Sequence, residues 1–149
     1  MKDFDHDYVE DLLERLKSIK PGARPAWGSL TRDALIAHLT DTIRYSMGRL
    51  GDLPDGSNWL SMSLLKFLIL NRIVSIPKNV KAPPYENNPA LARGGDLETL
   101  HAVLDEYLNL VQAGELEPKP HPFFGELGID GWARMHILHF EHHCRQFGV

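Results

Sequence analysis

The chain has 149 residues and a formal net charge of −4. That length suits a single domain with a real apolar core, and the negative balance offers no basic surface to nucleic acid. The one cysteine, Cys144, excludes an intrachain disulfide and fits a reducing, cytoplasmic setting.

The acidic opening MKDFDHDYVE holds no apolar signal core. The most apolar run, residues 64–70, is interrupted by Lys66 and is far shorter than the roughly 20 residues that cross a bilayer, so no membrane partner is expected. The spacing predicts a first helix over residues 3–19, with Phe4, Val9, Leu12, Leu13, Leu16 and Ile19 on one face. Pro21, Gly22 and Pro25 end it. Ser29 or Thr31 can cap a second helix whose apolar face carries Leu35, Leu39, Ile43 and Leu50, with Gly51 just past its end. The segment GDLPDGSN then reads as a turn.

Residues 59–75 are apolar on nearly every side, which marks a third helix as buried core or as a partner surface. Pro77 stops it, and residues 77–95, rich in Pro, Asn and Gly, form a long crossover. Asp96 caps a fourth helix with Leu97, Leu100, Leu104, Tyr107, Leu108 and Val111 on one face and Gly114 at its end. After the loop EPKPHPFFGELGI, Asp130 is the expected cap of a last helix over residues 131–147. No alternating run is long enough for a sheet, so the fold class is all-α, one domain over residues 1–149.

The last helix carries the chemistry. Four of the eight histidines, His136, His139, His142 and His143, crowd into it. On a helical wheel Trp132, His136, His139, His143 and Phe147 share the inward side, while Arg134, Glu141 and Arg145 face water. Histidine thus occupies the stripe where a packed helix places Leu or Ile, and each buried imidazole needs a partner. His139 and His143 lie one turn apart on one face, a spacing that lets two rings share a metal. A third ligand must come from another helix, and His38 is the best placed. The bland alternative is three hydrogen-bonded core histidines and no metal. His136 can hydrogen-bond rather than ligate, and His142 reads as structural or as support for a ligand. His121 can line a pocket mouth or only cap a turn. His6 and His101 read as surface residues. Asp41 can orient His38 or be a solvated charge, the second reading being favoured.

The motifs HILHFEHHCRQFG, HPFFGELGIDGWARMH and ALIAHLTDTI together resemble the DinB/YfiT-like superfamily of small four-helix metalloproteins. The resemblance places His38, His139 and His143 at that family's ligand positions. Cys144 stands where many members carry arginine, with Arg145 one place later. It implies a four-helix bundle with a long crossover, here with a short extra helix, and a homodimer. It also implies a metal that activates a low-molecular-weight thiol in a transferase or isomerase, while other members resemble hydrolases.

Three neutral imidazoles leave a coordination position open, as in catalytic zinc sites. The all-nitrogen set suits Zn, Ni, Fe or Cu over Mg or Ca, with zinc or nickel first. The expected function is a metal-dependent enzyme of a small-molecule substrate, a transferase or hydrolase, its cavity lined by Trp132, His136, Phe123 and Phe124 with Tyr45 as a polar contact. No Ser/His/Asp or Cys/His nucleophile arrangement is present, and Cys144 reads as a small packing residue. The competing expectation is a non-catalytic metal-binding or dimerising stress-response module, motivated by the apolar third helix.

Overall fold

A computed structural model describes residues 3–50, 66–71, 75–78 and 94–149. Among them the chain is all-helical: α1 (His6–Ser18), α2 (Arg32–Ser46), α3 (Lys66–Leu70), α4 (Leu97–Ala113) and α5 (Gly128–Phe147). The expected turn at residues 51–58, most of the third helix and most of the crossover lie outside the described residues.

Local chemistry sets most helix ends. The Asp5 carboxylate accepts from Tyr8 N at 2.9 Å, so α1 starts three residues later than its apolar period suggested. Thr31, not Ser29, caps α2, with its hydroxyl accepting from Ala34 N. Asp96 caps α4 as expected, through Thr99 N at 2.7 Å. Gly114 closes that helix in the left-handed region at φ 69°, where a side chain would be strained. Two ends differ from expectation. Helix α2 finishes at Ser46 with Met47 as its C-cap, short of Leu50. Helix α5 begins at Gly128, so Asp130 sits inside its first turn, where a carboxylate complements the helix dipole, instead of capping it.

Helix α2 packs against α4 and α5, and α1 packs against the same two. Their apolar stripes meet in one core of Leu12 and Leu16, Leu35, Leu39 and Ile43, Leu100 and Leu104, and Ile137 and Phe140. Each such side chain contributes about 1.5–3 kcal/mol by leaving water. Cys144, fully buried in this core, is the packing residue its position suggested. A smaller cluster of Tyr45, Ile69, Leu70, Phe124, Trp132 and Met135 seats α3 on α5. Phe67, on the other side of α3, is 56% exposed, so that helix is not apolar-buried all round.

Glu141, expected to face water, instead joins α5 to α1. Its two carboxylate oxygens accept from the Arg15 guanidinium at 2.8 and 3.2 Å, and Tyr8 donates to one of them at 3.2 Å. Arg134 and Arg145 are exposed, as the wheel required.

The entry to α4 presses on α2 beside the candidate site. Gly95 N donates to Asp33 O at 2.9 Å. A Cβ on Gly95 would stand 2.6 Å from Ala37 N and 2.8 Å from Ala37 Cα, backbone atoms that cannot move independently of α2. Gly95→Ala is expected to cost about 1–3 kcal/mol through this overpacking. A denaturant midpoint equal to wild type would show that the two segments separate easily.

Candidate metal centre

Three histidines from two helices converge. His38 projects from the middle of α2, and His139 and His143 project from successive turns of α5. His38 Nε2 lies 2.9 Å from His139 Nε2, and His143 Nε2 lies 3.1 Å from the same atom. The ring centroids are 4.7–5.1 Å apart. All three residues are partly buried, and their ligand atoms form a group that could hold a metal ion. Nitrogens 2.0–2.1 Å from a tetrahedral ion would be about 3.3 Å apart, close to the two contacts at His139 Nε2.

Burial keeps the rings neutral. Desolvation lowers His38 to about 4. Desolvation, with His38 as a like-charged neighbour, lowers His143 to about 3. His139, between the two, is held well below the usual imidazole value, first by desolvation and then by His143 and His38. Protons therefore do not bind the cluster together near neutral pH. A proton on His139 Nε2 points well at only one neighbour and leaves the other contact poorly served. A cation at the centre satisfies all three nitrogens at once. Among the described residues His139 Nδ1 has no hydrogen-bond partner.

Gln146, part of the HILHFEHHCRQFG motif but not among the expected site residues, supports the cluster. Its side chain meets His143 Nδ1 at 2.7 Å and Trp27 O at 2.9 Å. The i, i+3 spacing of His143 and Gln146 was the available signal. Trp27 stands against His142 edge-on at 5.5 Å, and Lys78 Nζ lies 4.6 Å over the Trp27 ring. His142 in turn packs edge-on against His143 at 5.2 Å. One side of the cluster therefore carries an indole, an imidazole and a cation.

A profile described as a protein of unknown function (DUF1569) matches residues 5–148. The chain belongs to this family. Comparison with curated proteins and with solved structures returns no match.

The other expected site residues of this DUF1569 member do different work. His136 is fully buried, and its Nε2–H donates to Ser46 Oγ at 3.1 Å, because the Ser46 hydroxyl already donates to Ile43 O. It is stacked between Trp132 and Phe140. Trp132 donates its indole N–H to Lys119 O at 2.6 Å. Tyr45 donates to Pro120 O at 3.0 Å. Phe124, with Trp132 and Tyr45, is packed in the second apolar cluster, so these rings are wall and filling together. His121 resolves as a turn residue. Its Nδ1 accepts from Phe123 N and Phe124 N at 3.1 and 3.3 Å, its backbone pairs with Gly125, and its ring stacks on Phe124. His6 and His101 are exposed beside Asp105. Asp41 corrects an expectation: it is 4% exposed, not a solvated charge, and lies 3.7 Å from the Arg44 guanidinium.

Proposed function

We propose that this protein is a metal-dependent enzyme of a small-molecule substrate, with His38, His139 and His143 holding one divalent transition metal, zinc or nickel first. The observation that carries it is the meeting of three neutral imidazole nitrogens from two helices at 2.9 and 3.1 Å. On this reading the fold is a DinB/YfiT-like four-helix bundle with a long crossover and a short extra helix. The setting is the cytoplasm, with neither nucleic acid nor membrane as partner.

A divalent cation in such a site supplies Lewis acidity. The residues decide what it acts on. Three neutral ligands cancel none of the charge of the ion, so an anionic fourth ligand is favoured. A low-molecular-weight thiol, bound as thiolate, meets that demand and makes a transferase the first reaction class, with a hydrolase second. Glu141 is held by Arg15 and Tyr8 and does not compete for the position.

The test is cobalt substitution. Protein purified without an affinity tag and loaded with Co(II) is expected to take one ion per chain. Millimolar small thiol is expected to add a sulfur-to-cobalt charge-transfer band. A chain that takes up no cobalt ends the proposal, and an occupied site whose spectrum ignores thiols and small anions favours the second reading. That reading is a non-catalytic, dimerising module, and the exposed Phe67 on α3 speaks for it.

A further inference from the structure

The orientation of one amide decides which nitrogen of His143 is available to a metal. The Gln146 side chain lies between two groups, Trp27 O at 2.9 Å and His143 Nδ1 at 2.7 Å. A backbone carbonyl only accepts, so the amide N–H₂ must face Trp27. The amide oxygen must then face His143, and an amide oxygen also only accepts. The proton of the neutral His143 ring is therefore on Nδ1, and Nε2 is left with its lone pair facing His139 Nε2 at 3.1 Å, in the group that also includes His38.

We infer that Gln146 is the positioning residue of this site: it locks His143 in the Nδ1–H form and so presents Nε2 as a metal ligand. The inference rests on the metal reading above. The lock extends to a second segment, because Gln146 O also accepts from Ala26 N at 2.7 Å. Backbone and side chain of one residue thereby fasten the loop before α2 to the end of α5. The Trp27 ring held by that loop packs on His142, next to the ligand His143. Polar partners of this kind typically change metal affinity by about 10- to 100-fold when removed.

Two substitutions separate the metal role from the tether. Gln146→Leu removes both side-chain bonds. Gln146→Glu keeps an acceptor oxygen for His143 Nδ1–H but loses the donor to Trp27 O. Co(II) affinity, measured by competition with a chelator, is expected to fall about 10- to 100-fold in Gln146→Leu and to stay within a few-fold of wild type in Gln146→Glu. The thermal midpoint of the metal-free protein is expected to fall alike in both. Equal affinity in Gln146→Leu and wild type overturns the inference, and so does a Gln146→Glu variant as weak as the leucine variant. The wild-type protein gives an independent readout through ¹⁵N–¹H spectra of the His143 ring. They are expected to show the proton on Nδ1, and a proton on Nε2 overturns the assignment even if a variant fails to fold. A wild-type chain that binds no Co(II) fails the metal reading, whereas a Gln146→Leu chain that binds normally fails only this inference.

Discussion

His139→Ala is expected to abolish metal binding and the stability that metal confers. His139 is the centre of the cluster, with both partner nitrogens measured from its own Nε2. Its removal leaves one ligand on α2 and one on α5 with nothing between them. In wild type, metal at a thousand times its dissociation constant should add about 4 kcal/mol. For a chain of this length that is roughly 10 °C in thermal midpoint. In His139→Ala the gain should shrink to near zero, and elemental analysis should fall from one metal per chain to a small fraction. The ring is desolvated, so its loss should also lower the metal-free midpoint, and the metal contribution is read as the difference between midpoints with and without metal. His142→Ala is the control. Its ring packs on Trp27 and His143 and is outside the convergent group, so that variant should keep its metal. A His139→Ala protein that retains stoichiometric metal would remove the site.

The metal-free protein is expected to unfold in mild acid, between about pH 6 and 4.5. Burial lowers His38 and His121 to about 4, His136 and His143 to about 3, and His139 well below the usual value. The same side chains in an unfolded chain titrate near 6.5. Below that pH the unfolded state takes up protons that the folded state refuses, so stability falls as pH drops towards the folded-state values. Each histidine contributes a slope of about 1.4 kcal/mol per pH unit once its unfolded form is protonated. Several such side chains acting in the same direction make a steep loss against a total stability of about 5–15 kcal/mol for a typical domain. Bound metal stabilises only the folded state and should push the midpoint to lower pH. Circular dichroism against pH, with and without Zn(II), checks both. A metal-free protein that remains helical at pH 4 would mean that these rings are not buried as neutral groups.

The helices themselves were legible because their signals are local. The period of Val9, Leu12 and Leu16 survives in the core, as do the caps Thr31, Asp96 and Gly114. Each of these depends on residues within a turn or two. The structure departs from the local pattern where a local signal had a competitor. Asp130 has the chemistry of a cap, yet the chain had already turned into α5 at Gly128, which adopts φ 65°. Asp41 and Glu141 look solvated on a wheel of their own helix. Asp41 is buried, and the partner of Glu141, Arg15, is 126 positions away.

The candidate site divides the same way. The pairing of His139 with His143 follows from helical geometry, which fixes the separation of residues four apart whatever surrounds them. That His38 meets them, 101 residues distant, depends on how α2 lies against α5. The hold of Gln146 on Trp27, across 119 residues, depends on where the loop before α2 comes to rest. Periodicity and capping are written along one stretch of chain, so sequence alone determined the helical class and the pairing of His139 with His143 on one helix face. The approach of His38 to that pair, the burial of Asp41, the pairing of Glu141 with Arg15, and the contacts of Gln146 are set by distant stretches, which meet only once the apolar stripes have packed.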